Sequence, residues 1–301
     1  YGKNSWASST PATDGELVYA YFGNHGVMAV DFAGEIRWHM SYGRVDTRHG
    51  TAGSPVLWKD RLFLFQDNEA PVGSFVSAID KQTGLEIWRT SREERVGWSS
   101  PVVIRAGDRH ELIVSSQARV YAYDPETGKE LWYSRGNLVE VTPTPVAGEG
   151  LVFCASGRAG PTLAIRPGGK GDVTDSHVMW TSPKGSPFVP SPLLYDGRLY
   201  TINDMASVVT AFEATTGDVL FQGRLGEAQR ESFSASPVAV DGKVFFTNDE
   251  GVTFVLAAGD SFELLHTNDI GERTLASPAL VDGRWYVRTV GHLFAIGEEG
   301  S

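Results

Sequence analysis

Histidine and cysteine are the side chains of this sequence whose chemistry is simplest to recognise, and their spacing predicts neither a metal centre nor a catalytic nucleophile. Cys154 is the single cysteine, which excludes an intrachain disulfide and a zinc site built from cysteines. No GxSxG elbow, HExxH pair or GxxxxGK[ST] phosphate loop occurs. The histidines are scattered without a ligand spacing: His25, His39, His49, His110, His177, His266 and His292. The sequence therefore favours binding over catalysis, and no catalytic or metal-ligating residue is predicted.

Arginine, acidic and aromatic side chains recur in loops that would open onto one face of a repeat fold. Some precede successive Ser/Thr-Pro pairs, and others lie between the second and third strands of a repeat. The candidate ligand-binding or partner-binding set is Arg48, His49, Arg95, Trp98, Glu140, Arg158, Phe188, Asp204, Arg230, Phe233, Asp249 and Arg273. Arginine and aromatic residues are enriched at protein interfaces, although ordinary solvated loops would contain the same mixture. If this face binds an acidic peptide or small anion, four arginines should converge around the axis: Arg48, Arg95, Arg230 and Arg273.

The elements that would position these loops are seven repeats, each opened by a Ser/Thr-Pro pair. The pairs begin at residues 10, 54, 100, 144, 191, 236 and 277, with spacings of 41 to 47 residues. Alternating β-branched and aromatic residues flank Asp-Gly dipeptides, as in PLLYDGRLYTIN, which is the strongest short signal for a β-hairpin. A repeat of about 40–45 residues with four strands is typical of a β-propeller blade. The predicted fold is therefore all-β, a propeller of four-stranded antiparallel blades.

A second repeated segment, AYDPETGKELW at 122–132, has imperfect copies at 78–88, 29–38 and 211–221. Its glycine stands where a tight turn needs a positive φ, and its terminal aromatic is large enough to cover a neighbouring sheet. We expect these aromatics to dock between blades over small residues such as Ala78 and Ala122. The docking set is Trp38, Trp88, Trp132, Trp180 and Phe221.

Two repeats depart from this pattern. The fourth carries extra residues including PGGKG, which we expect to be a flexible surface loop. The sixth lacks the aromatic and is expected to place Leu264 or Leu265 there, so its packing should be the weakest.

Composition indicates one domain, residues 1–301, with no linker-like segment. The net charge of −11 and the sequence pI of about 5.1, without a cluster of basic residues, argue against nucleic acid as a partner. No apolar run approaches 18 residues, so direct membrane insertion is not predicted, and no signal peptide is present in the sequence given.

The Ala-x-Asp-x-x-Thr-Gly-x-x-x-Trp copies at 78–88 and 122–132 resemble the tryptophan-docking motif of the PQQ-like (quinoprotein-type) β-propeller superfamily. Within it, SWASSTPATDGELVYAYFG and FVPSPLLYDGRLY resemble the bacterial "PQQ-binding-like β-propeller repeat" proteins. The resemblance implies eight blades and a periplasmic or extracellular location. It covers quinone-dependent alcohol dehydrogenases and also the scaffold lipoprotein of the outer-membrane β-barrel assembly machinery, so it does not decide the function.

The resemblance also indicates which residues a quinone-dependent enzyme would need. Quinoprotein dehydrogenases hold PQQ under a disulfide between adjacent cysteines and bind calcium through Glu, Asn and Asp, and no position here matches those ligands. No cofactor is therefore predicted, with PQQ and calcium disfavoured. The favoured function is a non-catalytic scaffold that binds a protein or ligand at the central-channel face. The alternatives are a quinone-dependent or other oxidoreductase that uses the central channel and the sensor domain of a larger membrane receptor.

The two ends of the sequence carry one further expectation. Nine residues precede Thr10, and the sequence stops at the third strand of the seventh repeat. We therefore expect seven inner units but only six outer strands, with an upstream strand or blade missing and Tyr1 to Ser5 too short to complete the ring.

Overall fold

The computed structural model describes residues 7–70, 72–158, 160–227 and 232–297. Seven sheets, numbered here as blades 1 to 7, contain the strands. Blades 1 and 2 contain β1 (Ala12–Thr13), β2 (Leu17–Tyr21), β3 (Val27–Asp31), β4 (Ile36–Met40), β5 (Val56–Trp58), β6 (Arg61–Gln66), β7 (Ser74–Asp80) and β8 (Glu86–Arg92). Blades 3 and 4 contain β9 (Val102–Ala106), β10 (Arg109–Ser115), β11 (Arg119–Tyr123), β12 (Glu130–Arg135), β13 (Val146–Gly148), β14 (Leu151–Ala155), β15 (Thr162–Ile165), β16 (Gly171–Asp172) and β17 (Val178–Ser182).

The remaining strands follow the same order. Blades 5 to 7 contain β18 (Leu193–Tyr195), β19 (Arg198–Asn203), β20 (Val208–Glu213), β21 (Val219–Arg224), β22 (Val238–Val240), β23 (Lys243–Thr247), β24 (Val252–Ala257), β25 (Leu264–Asp269), β26 (Ala279–Val281), β27 (Arg284–Arg288) and β28 (Leu293–Ile296). A 3₁₀ turn (Gly23–His25) and a short helix, α1 (Thr174–His177), complete the described elements. The all-β, antiparallel blade prediction is thus confirmed. No described helix has the length and apolar character needed to span a membrane.

The Asp-Gly dipeptides form the tight turns that the sequence predicted. Asp196 and Gly197, between β18 and β19, have φ values of 50° and 72°. Positive φ at both central residues defines the type I′ turn, whose twist matches that of the flanking strands. Asp241-Gly242 and Asp282-Gly283 repeat this geometry in blades 6 and 7.

The Ser/Thr-Pro pairs have a second role that the sequence did not reveal. The backbone N–H of Ser54 donates to Oγ of Ser100, and the N–H of Ser100 donates to Oγ1 of Thr144, at 2.9 and 3.1 Å. Six such bonds among the described residues link each blade to the next, from Thr10 to Ser277. Each pair therefore starts its inner strand and also connects adjacent blades.

The hydrophobic core lies between blades rather than within them, in five clusters that join consecutive blades 1 to 6. Trp88 of blade 2 shows the docking geometry. Its indole N–H donates to the carbonyl of Pro125 at 3.2 Å, and a methyl group added to Gly128 would lie 2.5 Å from its ring. The ring of Trp38 faces Gly84, the ring of Trp180 faces Gly217, and Phe221 packs edge-on against Phe262.

One detail of the docking prediction was wrong. Ala78 and Ala122 do not lie at the edge of a neighbouring sheet, because they pair with Trp88 and Trp132 across the same sheet. Each alanine pairs with the aromatic within its own blade, and the ring of Trp88 contacts Gly128 of the next blade.

The insertion in the fourth repeat contributes a strand that the sequence analysis did not predict, while the flexibility of its PGGKG segment remains a prediction. Gly171–Asp172 pairs in parallel with β12 and adds a fifth strand to blade 3. Arg135 forms an ion pair with Asp172 at 2.5 Å, and Arg109 donates to the carbonyl of Gly169 at 2.8 Å. The insertion therefore covers Trp132, whose indole N–H donates to Glu111 of its own blade at 2.8 Å.

Register also corrects the sixth repeat. Val255 of β24 pairs with His266, just as Ala211 pairs with Phe221 in blade 5. Both blades have a bulge at the next position of the strand, so the residue equivalent to Phe221 is His266, which is exposed, and neither Leu264 nor Leu265 occupies the docking position.

The seventh sheet has three strands among the described residues, whereas blade 1 has four. This count agrees with the expected seven inner units and six outer strands. The expectation for Tyr1 to Ser5 falls outside the described residues, and an eight-bladed ring remains a prediction.

Candidate functional site

Two sets of loops meet on one face of the blades, which we call the loop face. The first set leads into each inner strand, and the second joins the second strand of a blade to the third. The opposite face, the turn face, carries the tight Asp-Gly and Thr-Gly turns. Every described residue of the predicted binding set falls in a loop-face segment.

Between blades 2 and 3, the loop face contains a network of buried polar side chains. This network includes Arg92, the last residue of β8. Its side chain is 2% exposed and forms an ion pair with Asp67, with Nε 3.1 Å from Oδ1 but without hydrogen-bond alignment. Nη2 donates to Asp67 Oδ2 at 3.3 Å and to Oγ of Ser116, and Nη1 donates to the hydroxyl of Tyr123 at 3.3 Å. Burial opposes ionisation of the guanidinium, but the carboxylate of Asp67 raises the pKa of Arg92.

Tyr121 connects this buried ion pair to the surface. Its ring lies under the Arg92 guanidinium, 4.9 Å from ring centroid to guanidinium carbon. Its hydroxyl donates to Oε1 of Glu94 at 2.5 Å and accepts from Arg119 at 3.2 Å. Burial raises the pKa of Glu94, although Tyr121 and Arg92 act in the opposite direction. A carboxyl group with a raised pKa thus stands at the edge of the network.

Glu94 opens into a cleft of about 280 Å³ on the loop face. The other lining residues come from the segment after β8 and from the turn between β10 and β11: Glu93, Arg95, Gln117, Ala118 and Arg119. Two acids and two arginines give the cleft a balanced charge. The cleft is therefore suited to a polar group that carries both signs.

An apolar loop of blade 3 lies beside the cleft. Leu138 and Val139 are 49% and 50% exposed, and the backbone N–H of Ala118 donates to the carbonyl of Leu138 at 3.3 Å. Beneath them Asn137 is buried, and its amide donates to Oγ of Ser115 at 3.0 Å and to the carbonyl of Ser116 at 2.9 Å. Because the backbone of this loop is already anchored, the loop loses little conformational entropy on binding.

A second and much smaller cavity lies near blades 1 to 3. It is lined by residues such as Tyr21, Gln66 and Trp98 and measures about 20 Å³, which is room for about one water molecule. The described residues include no group of three or more His, Cys, Asp or Glu side chains that could hold a metal ion. Cys154 is fully buried, which raises the pKa of its thiol to about 12 and leaves little thiolate at neutral pH.

Comparison with known proteins agrees with this architecture. Residues 72–174 match the family model described as outer membrane protein assembly factor BamB. The crystal structure of BamB from Moraxella catarrhalis superposes with a TM-score of 0.73 at 14% sequence identity, over 94% of this chain and 82% of that one. A europium-containing methanol dehydrogenase gives a TM-score of 0.71 at 12% identity, over 92% of this chain and 72% of that one. These comparisons show that the chain has the β-propeller fold and that residues 72–174 are similar to the assembly-factor family.

A designed propeller-like neighbour shows how little sequence the shared fold requires. The computationally designed Ika8 protein has a TM-score of 0.69 at 11% identity, over 96% of this chain and 83% of that one. No curated protein matches the sequence. At such identities the solved structures establish the fold of the propeller and leave its function to the site.

Within the propeller, some of the predicted binding residues meet in pairs. The rings of His49 and Trp98 lie 5.6 Å apart between centroids, Arg158 lies 3.8 Å from Glu140, and the N–H of Phe188 donates to Asp204 at 2.8 Å. The first pair joins the loops that enter blades 2 and 3. Each of the other two joins the loop that enters a blade to the loop between its second and third strands.

Other members of the predicted set are separated or buried. Arg48 pairs with Glu69 at 3.4 Å and Arg273 pairs with Glu250 at 3.6 Å, while Arg95 lines the cleft. Phe233 and Asp249 are only 1% and 2% exposed, and Phe233 packs against Phe254. Arg230 lies outside the described residues. Convergence of the four arginines therefore remains a prediction.

The sequence analysis missed the network under the cleft: Asp67, Arg92, Glu94, Ser116, Arg119 and Tyr121. The alternation of side chains along a strand could have identified Arg92, because residues 88, 90 and 92 lie on the same face of the sheet. Trp88 marks that face as the one that packs on blade 3. An arginine there predicts a buried partner, and no local pattern identifies Asp67 as that partner.

Proposed function

We propose that this propeller is a non-catalytic scaffold that binds a partner protein through its loop face, centred on the cleft between blades 2 and 3. The observation that carries the proposal is the combination of an open, charge-balanced cleft with the exposed Leu138 and Val139 on an anchored loop. Protein interfaces usually combine apolar anchor residues with neighbouring polar groups that can form hydrogen bonds with the partner.

The family match supports the same region. Residues 72–174 contain the cleft segments 93–95 and 117–119 and the loop at 137–140. The matching family is described as an assembly factor, which fits a protein that acts by holding partners. We propose a periplasmic or extracellular location for this chain by the same resemblance.

The enzyme and sensor hypotheses receive less support from the site. The cleft holds no nucleophile paired with a base among the described residues. No observation in the described structure favours a sensor over a scaffold, so we rank both below partner binding.

Site-specific photocrosslinking in cells of the source organism tests the proposal. A photoreactive amino acid at Leu138 should give a discrete protein adduct, identified by mass spectrometry. The matched control is Asp108, an exposed residue of the same blade on the turn face. Adducts from Asp108 alone, or from neither position, would overturn binding at the loop face.

A further inference from the structure

We propose that the cleft receives a lysine or arginine side chain of the partner polypeptide on Glu94, while a neighbouring carboxylate of the same segment pairs with Arg95. This inference rests on the proposed function, because it names the chemistry that the partner must present at the loop face.

Glu94 provides an incompletely satisfied acceptor. Its residue is 6% exposed, and Oε1 accepts the hydroxyl of Tyr121 at 2.5 Å, while Oε2 has no hydrogen-bond donor among the described residues. Oε2 faces the cleft, where a charged donor from a ligand would form a charge-assisted hydrogen bond that is stronger than one to water.

The neighbouring arginines do not fulfil this role. Arg92 is engaged by Asp67, Ser116 and Tyr123, and the described structure contains no hydrogen bond between Arg92 and Glu94. Arg119 donates to Tyr121, and its guanidinium lies 4.9 Å from the ring of Tyr133. Both arginines therefore shape the cleft while Glu94 retains an open oxygen.

Arg95 supplies the complementary donor. Arg48, Arg158 and Arg273 on the same face each lie within 3.4 to 3.8 Å of an acid. In the described ranges no such ion pair involves Arg95, which is exposed and lines the cleft. An open acceptor and an open donor of opposite charge select a ligand segment with both a cation and a carboxylate.

The size of the cleft fits a short segment. Its volume of about 280 Å³ lies just below the usual range for pockets that hold drug-sized molecules. One long side chain with its flanking backbone fills such a space. Leu138 and Val139 then lie where the rest of the partner would continue across blade 3.

The probe is a blocked tetrapeptide, acetyl-Gly-Lys-Asp-Gly-amide, together with the version in which lysine and aspartate are exchanged. Calorimetric titration should show that one of these binds at least about tenfold tighter than peptides with norleucine for lysine or asparagine for aspartate. Equal binding of the norleucine peptide, or no binding of either Lys/Asp peptide up to its solubility limit, would overturn the proposal.

Protein variants locate the binding. Glu94→Gln keeps an oxygen for Tyr121 and should weaken the peptide by about tenfold, whereas Glu93→Gln on the exposed rim should change it by less than about twofold. Thermal unfolding verifies that both variants fold. Unchanged affinity in folded Glu94→Gln would contradict the assignment.

Crosslinking at Leu138 in the Glu94→Gln background separates the two proposals. Loss of the adduct in a folded variant supports the cleft chemistry. A retained adduct leaves partner binding at the loop face intact and removes the role of Glu94.

Discussion

Blades 2 and 3 and blades 6 and 7 are built from the same repeat but pack very differently. Between blades 2 and 3, Phe63, Val76 and Leu112 are fully or nearly fully buried, and Trp88 docks on the Gly128 turn. Past Leu256 the described structure contains no buried hydrophobic residue, and the docking position holds the exposed His266. Blade 7 contacts blade 6 through the aromatic pair Phe245–Trp285, with ring centroids 4.6 Å apart.

The difference shows what the docking motif contributes. Backbone pairing and type I′ turns form in blade 7 as they do elsewhere, so the motif is not needed to build a blade. It is needed to bury the surface between blades. Because the cleft lies between two docked blades, a well-packed interface holds its residues in place.

The largest effect should come from Trp132→Ala. Deleting a fully buried aromatic costs about 3–5 kcal/mol of unfolding free energy, because a cavity opens between blades 3 and 4. The change also removes the indole donor of Glu111, a side chain with no exposure. Leu265→Ala in blade 6 should cost clearly less, since Leu265 is only half-buried. Chemical denaturation measures both, and a neutral Trp132→Ala would show that docking does not stabilise the ring.

A matched pair of glycines isolates the docking contact itself. Gly128 and Gly283 have φ values of 72° and 73°, but a methyl group at Gly128 would lie 2.5 Å from the Trp88 ring, whereas the same group at Gly283 meets nothing within 4 Å. Backbone strain should cost about 1 kcal/mol in each alanine variant. Overpacking should add about 1–3 kcal/mol at Gly128 only. Equal decreases in the denaturation midpoints of the two variants would mean that the indole ring of Trp88 moves aside without a cost in stability.

These residues also show how far sequence reasoning reaches. Gly128 and Trp88 were predictable because turn chemistry and the repeated aromatic are local signals. His266 was not, because the connection from Val255 to His266 is one residue longer than that from Ala211 to Phe221, and no aromatic residue marks its end. The segments that form the loop face follow from the repeat, whereas their binding role stays a prediction. The Asp67–Arg92 pair joins residues from separate segments, and Ser116 and Tyr123 of blade 3 complete it. Only the fold reveals such a pair.

The hydrogen bonds from backbone N–H groups to hydroxyl groups of the next blade allow a comparison with a smaller expected effect. Ser100→Ala removes the acceptor of the Ser54 N–H at a half-buried position, and Ser277→Ala removes the acceptor of the Ser236 N–H at an exposed one. Loss of a hydrogen bond costs about 0.5–1.5 kcal/mol, and the exposed group recovers a bond to water. Ser100→Ala should therefore destabilise the propeller more in the same denaturation assay. The reverse order would indicate that the hydrogen bonds near blade 7 contribute more to the stability of the propeller.

The smallest expected effect is the pH dependence at the turn face of blades 1 and 2. Asp14 of blade 1 lies 2.8 Å from Nζ of Lys81, the residue whose carbonyl accepts the indole N–H of Trp38. Burial pushes the pKa of Asp14 upward, but the hydrogen bonds from Lys81 and from the backbone N–H groups of Leu17 and Glu16 outweigh it, so the pKa of Asp14 is lowered. A carboxyl group with a lowered folded-state pKa stabilises the fold above its unfolded pKa of about 3.9, and that contribution is lost as the pH falls through the folded value.

Asp14→Asn should therefore reduce the steepness with which stability falls below about pH 4, and it should have little influence on that slope at neutral pH. Lys81→Met removes the same ion pair from the other side and should reduce the acid slope in the same direction. Because Lys81 belongs to the turn that receives Trp38, the loss should appear together with changed Trp38 fluorescence in acid titrations. If both variants keep the wild-type slope, the ion pair does not reinforce the docked interface, and burial of the aromatic ring alone distinguishes the docked blades from blade 7.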